Sequence, residues 1–276
     1  MDDAASGTQS ADARALRLPP REAVRSSTGS SKAVALMRVL HGRFIRKDRF
    51  AGYQLARQIS SFLAPDYVFI ESGRAWTQDR SFMPKYEELL GGEHLETADK
   101  KWFLGELARS IRGIPGEIAE CGSFRGASAY FIADATEGTG KVLHLFDSWQ
   151  GLATPVEADG SHWSAGDLTA SEADCRTTLA PFAGRVVAHS GWIPDRFDEV
   201  EDLRFAMVHI DVDLYEAHRD AVAFFWPRLA PGGVMVFDDY GSSFCPGARR
   251  AVDEFFEARG LRVIGVPTGQ AFLTKQ

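Results

Sequence analysis

The chain has 276 residues, enough for one α/β domain of ordinary size with an N-terminal extension. Hydrophobic residues make up 45% and charged residues 25%, ordinary globular values, and a net charge of −7 lacks the basic excess of a general nucleic-acid binder. The three cysteines, Cys121, Cys175 and Cys245, show no zinc-site spacing and are odd in number for a disulfide framework, and no apolar run is long enough to span a bilayer, so the expectation is a cytoplasmic protein whose partners are neither nucleic acid nor membrane.

Residues 1–33 are rich in Ala, Ser, Arg and Asp and lack the apolar core of a signal peptide, which predicts a disordered tail. From Val34 to Leu63, VALMRVLHGRF and YQLARQISSFL read as helices, with Arg38, Arg43, Arg46, Lys47 and Arg49 either on a solvated face, the favoured reading, or facing an anionic partner. ESGRAWTQDRSFMPKYEELLGG reads as loop. ETADKKWFLGELARSIRG reads as a helix started by Thr97 and stopped by Gly113. Residues 34–114 thus form an N-terminal helical or lid region, and 115–276 the main domain.

In that domain EIAECG, KVLHLFDS, RVVAHSG, LRFAMVHIDVD and VMVFDDYG read as strands. GASAYFIADATEG, SEADCRTTLAPF, IPDRFDEV, YEAHRDAVAFFWPRLAPGG and PGARRAVDEFFEARG read as helices, the fourth ending at Pro-Gly-Gly. Five apolar strands alternating with helices predict a doubly wound α/β fold, a parallel sheet covered on both faces. LRVIGVPTGQAFLTK reads as two strands too close for a crossover, hence a C-terminal antiparallel hairpin.

Ligands of such a sheet bind beyond the carboxyl ends of its strands. The first strand runs into Glu120-Cys121-Gly122-Ser123-Phe124-Arg125-Gly126. Its glycines permit a tight turn and close approach of a ligand, but their spacing is not the G-x-G-x-x-G of a dinucleotide cradle. The second strand ends at Asp147, placed to accept hydrogen bonds from the two hydroxyls of a ribose or to form a turn. The third runs into Gly191-Trp192, where the indole flanks a flat adenine ring or packs at the rim. The fourth and fifth end in Asp211-Val212-Asp213 and Asp238-Asp239-Tyr240. These are neighbouring strands, so the four carboxylates crowd one end of the sheet. There they raise each other's pKa unless a cation sits among them, and hard oxygen donors suit Mg²⁺. The alternative is that Asp213 and Asp239 cap helices or face solvent. His209 reads as a core residue, with a general base as the alternative, and Cys121 as a packing residue. The long polar loop from Ala153 to Asp167 reads as a lid over substrate.

The runs EIAECGSFRGAS, HLFDSWQGL, HIDVDLYEAHRDAVAFFWPRLAPGGVMVFDDYG and GARRAVDEFF resemble the macrocin O-methyltransferase family over about Pro115 to Gly260. The cephalosporin-hydroxylase-like methyltransferases are similar through the same motifs. Members of the macrocin family methylate sugar or phenol hydroxyls of bacterial natural products. The resemblance implies a class I methyltransferase fold, a Rossmann-like sheet with the C-terminal hairpin and N-terminal helices. It implies S-adenosylmethionine and Mg²⁺ as cofactors and a small hydroxylated molecule as substrate. Glu120, Gly122 and Gly126 would surround the methionine part and Asp147 and Ser148 the ribose. Ser123, Ser128, Gly191, Trp192 and Asp211 complete the expected cofactor set. Asp211, Asp238 and Asp239 are the implied metal ligands, and Asp211 the implied general base. The family often has Asp-Gly-Asp where this chain has Asp211-Val212-Asp213, and a second Gly where it has Ala127.

Three other readings compete. One is a methyltransferase-fold biosynthetic enzyme of hydroxylase-like chemistry. Another is a non-catalytic binding module, against which the intact acidic cluster speaks. The last is a nicotinamide-dependent oxidoreductase, against which the missing third glycine speaks. The sequence leaves homo-oligomer formation open.

Overall fold

The computed structural model describes residues 29–47, 49–63, 75–77, 79–90 and 97–276. The chain divides into two compact units, residues 1–73 and 74–276. In the first, α1 (Gly29–Phe44) and α2 (Arg49–Leu63) are the two expected helices. Arg38, Arg43, Arg46 and Lys47 are exposed. Helix α1 begins inside the stretch read as a tail; residues 1–28 of that stretch lie outside the described residues.

The first α-helix of the second unit is α3 (Phe82–Leu90), in the stretch read as loop. Phe82 and Tyr86 lie one turn apart and both are buried, and the Phe82 ring packs on Phe131 at 4.8 Å. Tertiary packing holds this short helix, whose own periodicity is too brief to stand out. Next comes α4 (Ala98–Ser110), which buries Ala98, Leu104, Gly105 and Ala108. Thr97 stands at its N-cap but makes no side-chain bond to the cap backbone.

The sheet follows: β1 (Glu117–Cys121), α5 (Ala127–Ala135), β2 (Leu143–Asp147), α6 (Glu172–Thr178), β3 (Val186–Ser190), β4 (Phe205–Ile210), α7 (Tyr215–Arg228), β5 (Leu229–Phe237), α8 (Pro246–Glu257), β6 (Ile264–Gly265) and β7 (Ala271–Thr274). Strand order is β3-β2-β1-β4-β5-β7-β6, with β1 to β5 parallel and the hairpin antiparallel. Every residue of central β4 is buried, as a parallel strand covered on both faces demands.

Two boundaries differ from the sequence reading. Helix α7 stops at Arg228, and Leu229-Ala230-Pro231-Gly232-Gly233 opens β5 instead of ending the helix. A Cβ on Gly233 would stand 2.9 Å from the Ala206 carbonyl oxygen, so the glycine serves the close approach of β5 to β4. Of IPDRFDEV only Phe197–Val200 is helical, as one 3₁₀ turn.

Strand alternation sorts the core into two layers. Ile118, Leu143, Leu145, Met207, Val234 and Val236 pack toward α4 and α5 with Leu104 and Ile132. Ala119, Phe146, Val208, Ile210, Met235 and Phe237 pack toward α7 and α8 with Phe225 and Phe256. Among the described residues, no helix is long and apolar enough to cross a membrane.

Candidate active site

The same alternation distributes the functional side chains. Glu120 of β1 is the register partner of His209 of β4, and Ile210 of β4 is the partner of Phe237 of β5. Glu120 and His209 point to the α4 side, as do Asp211 and Asp238 just past the strand ends. Lys100 and Lys101 of α4 meet them there. Lys100 Nζ donates to Asp238 Oδ2 at 2.8 Å and to its main-chain oxygen at 3.1 Å, and Lys101 Nζ stands 3.8 Å from Asp211 Oδ2. Asp239, one residue on, turns to the α7 and α8 side. Its Oδ2 accepts the Asp213 amide at 3.0 Å and lies 3.9 Å from His218 Nε2. The four carboxylates expected at one place therefore form two groups. His209, Asp211 and Asp238 offer ligand atoms all within 4.8 Å of one another, and so do Asp213, Asp239 and Cys245.

The two groups differ electrostatically. Asp238 accepts from Lys100, from Gln270 Nε2 at 2.7 Å and from His209 Nε2 at 3.4 Å. Burial works against its charge, but Lys101, the His209 hydrogen bond and Lys100 outweigh it and hold the carboxyl well below its usual range. Burial also opposes charge on His209. Its bonds to Asp238 and to Glu120 Oε1 (3.0 Å) win and push its pKa up to about 10. Asp239 and Asp213 go the other way. Burial, and then the neighbouring aspartates, raise Asp239 well above the usual range and Asp213 to about 7. His218 does not neutralise them, because burial lowers its pKa to about 4. Oxygen donors whose charge is uncompensated in this way are a chemical fit for a hard divalent cation such as Mg²⁺.

The Gly turn after β1 is built by contact rather than by space alone. A Cβ on Gly122, at φ +83°, would meet the Asp211 carbonyl oxygen at 1.7 Å. Beside the turn, Glu120 Oε2 and Ser123 Oγ are buried with no hydrogen-bond partner. A buried, unpaired carboxylate oxygen is costly unless a ligand supplies a donor, and the ammonium of an amino-acid group is such a donor. The residues thus fit the methionine end of S-adenosylmethionine.

Asp147 has a second task that its position alone did not reveal. Its Oδ2 accepts the amides of Ser123 and Phe124, each at 2.8 Å, and its Oδ1 accepts the amide of Trp149 at 2.7 Å. The carboxylate staples the turn after β1 to the turn after β2.

A cleft of about 470 Å³ opens beyond the strand ends. Of the expected cofactor residues, Gly122, Asp147, Ser148, Trp192 and Asp211 line it. Glu120, Ser123, Gly126, Ser128 and Gly191 do not line it. Gly126 caps α5 against Cys175, and Ser128 is buried in its first turn. Of the metal set, Asp211 lines the cleft, and Asp238 and Asp239 do not.

The sequence reading missed Lys100, Lys101 and Gln270, which come from α4 and the C-terminal hairpin. It also missed the wall formed by Ile193, Pro194, Leu214 and Ala217. The adjacent lysines of DKKWF were the one available signal. Tyr240 is engaged elsewhere, its hydroxyl donating to Asp253 at 2.7 Å. The loop from Ala153 to Asp167 lines the cleft through Ala153, Thr154 and Asp159 but is fastened down. Asp159 Oδ1 accepts the Tyr215 amide at the start of α7 (2.6 Å), and its Oδ2 accepts the Val156 amide (2.8 Å). Farther along, His162 stacks on the exposed Phe244 ring at 4.3 Å, and the Trp163 indole donates to Cys245 Sγ.

The strand order, the reversed last strand and a cleft beyond the carboxyl ends define a class I methyltransferase fold. The O-methyltransferase NovP matches with TM-score 0.54 at 23% identity, over 64% of this chain and 79% of that one. The calicheamicin methyltransferase CalS11 matches with TM-score 0.57 at 18% identity, over 71% and 92%.

The family model for macrocin-O-methyltransferase (TylF) matches residues 104–264, more than half of the chain, and the chain belongs to that family. Mycinamicin III 3''-O-methyltransferase of Micromonospora griseorubida is 29% identical over 164 residues, 54% of this chain and 63% of that protein. The 8-demethyl-8-(2,3-dimethoxy-alpha-L-rhamnosyl)-tetracenomycin-C 4'-O-methyltransferase of Streptomyces olivaceus is 30% identical over 163 residues, 54% of this chain and 61% of that protein. The matched region spans less than two thirds of either relative.

Proposed function

We propose that this chain is an S-adenosylmethionine-dependent O-methyltransferase that methylates a sugar or phenol hydroxyl of a small natural product, with Mg²⁺ held by Asp211, Asp238 and Asp239. The observation that carries the reading is Glu120, a wholly buried carboxylate with one oxygen on His209 and the other unpartnered beside the Gly122–Gly126 turn. One relative is named for the 4'-oxygen of a rhamnosylated tetracenomycin, which supports a sugar hydroxyl as acceptor.

When bound, S-adenosylmethionine supplies a methyl group on a sulfonium, and Mg²⁺ supplies Lewis acidity toward the acceptor oxygen. The chain's own residues do the rest. Glu120 Oε2 and Ser123 Oγ bind the amino end of the cofactor. Asp147 and Ser148 bind the ribose, and Trp192 flanks the adenine. Asp211 takes the proton of the acceptor hydroxyl at a carboxylate oxygen. Its carboxylate lines the cleft that the acceptor enters, within reach of the acceptor hydroxyl. The apolar wall of the cleft excludes water and fixes the approach of the acceptor.

Calorimetric titration with S-adenosylhomocysteine, with Mg²⁺ and then with chelator, tests the cofactor; no binding in either condition overturns the reading. A mass-spectrometric screen of hydroxylated acceptors then tests the reaction. Asp211→Asn is expected to lower kcat by roughly 10²–10⁴.

A further inference from the structure

We propose that Lys100 is a built-in competitor of the metal: its ammonium group and a divalent cation exclude one another from the Asp238 carboxylate, so Lys100 sets the metal affinity of the site. The inference rests on the metal reading given above and extends it to a residue outside the ligand set.

Asp238 has little left to offer a cation. Lys100 holds Oδ2, and Gln270 and His209 hold Oδ1. Lys100 also donates to the main-chain oxygen of the same residue, so Asp238 alone grips the ammonium at two points. A metal ligated by Asp238 must displace one of these donors. Gln270 is 1% exposed and His209 0%, and neither has room to leave. The Lys100 side chain is 20% exposed and sits at the start of α4. A lysine is a point charge on a flexible four-carbon stem, able to swing from an interior carboxylate to solvent. Lys100 is therefore the exchangeable partner.

Charge points the same way. The α4 side of the site already sets Lys100 and Lys101 against Asp238 and Asp211. A divalent ion added beside two retained ammonium groups meets repulsion that a partly buried site screens poorly. Moving Lys100 outward removes that repulsion and frees Oδ2 in one step. Asp213 and Asp239, across the sheet end, form no ion pair with a lysine or arginine among the described residues, so of the proposed ligands only Asp238 and Asp211 face an ammonium group.

The test is titration of the full chain with Mn²⁺, reading free metal by electron paramagnetic resonance, for wild type, Lys100→Met and Lys100→Gln. Both variants are expected to bind Mn²⁺ at least tenfold more tightly than wild type. Adding Asp238→Asn to Lys100→Met is expected to abolish the gain. Lys100→Gln keeps a hydrogen-bond donor without the charge, and an unchanged S-adenosylhomocysteine affinity shows that each variant is folded. Affinities equal to or weaker than wild type in both variants overturn the competition while leaving the metal site standing. Uptake of Mn²⁺ by none of the proteins at millimolar metal overturns the metal reading and the competition with it.

Discussion

His209 Nδ1 and Glu120 Oε1 lie 3.0 Å apart with both side chains wholly buried, and the opposite ring nitrogen of His209 faces Asp238. The imidazole is a cation shared by two interior carboxylates. Removing one partner of a buried charge set costs about 3–5 kcal/mol. His209→Gln is expected to lose stability in that range by urea unfolding. The folded pKa of about 10 lies above the ordinary 6.5, so this stabilisation is complete below pH 6.5 and is lost as pH rises through 10. The melting temperature of the wild type should therefore fall more steeply from pH 7 to 10 than that of His209→Gln. Parallel profiles would remove His209 as the cause.

Glu120→Gln keeps the shape of the side chain and deletes its charge. A hydrogen bond to a charged group is worth about 1.5–3 kcal/mol, so S-adenosylhomocysteine should bind roughly ten- to a hundredfold more weakly. Methylthioadenosine, which has no amino-acid group, should bind both proteins alike. Calorimetry with the two ligands reads the difference, and an equal loss for both would assign Glu120 to stability alone.

Gly122→Ala places a methyl 1.7 Å from the Asp211 carbonyl oxygen, at φ +83°. The backbones of β1 and β4 must part, and a loss above about 4 kcal/mol is expected. Gly138→Ala is the control. Its φ is +75° with nothing within 4 Å of the new Cβ, so it should cost only about 1–2 kcal/mol. Similar denaturation midpoints for the two would show that dihedral strain, not contact, makes Gly122 necessary.

Asp159→Ala frees the loop that Asp159 ties to the Tyr215 and Val156 amides. Two orphaned amides should cost about 1–3 kcal/mol each where they stay buried. Limited proteolysis is expected to cut the variant between residues 153 and 167 at protease levels that leave the wild type whole. A cutting pattern unchanged from wild type would mean that His162, Trp163 and Phe244 hold the loop by themselves.

The sheet was legible because its determinants are local. Alternating apolar strands, Gly stops and a short terminal connection predict five parallel strands and a hairpin, and strands 117–121, 186–190 and 205–210 lie where the pattern puts them. Helix α3 was not legible, since Phe82 and Tyr86 become a stripe only against Phe131 of a later helix. The Pro-Gly-Gly at 231–233 looked like a helix stop because glycine has two uses. Here it admits a neighbouring strand instead of ending a turn. In the site, the acidic residues could be read from their strand-end positions, but their partition could not. That Asp238 meets Lys100 and Asp239 meets Asp213 depends on which helix covers which face, a fact of tertiary packing.

The pairing of Ile210 with Phe237 sets Asp211 directly beside Asp238. Because successive residues of a strand face opposite ways, a slip of β5 by one position against β4 would set a different residue beside Asp211 and turn Asp238 toward the helices of the other face. The chemistry at this sheet end is thus a property of alignment as much as of composition. A sequence with every acidic residue intact and one residue inserted in β5 would keep the ligands and lose the centre.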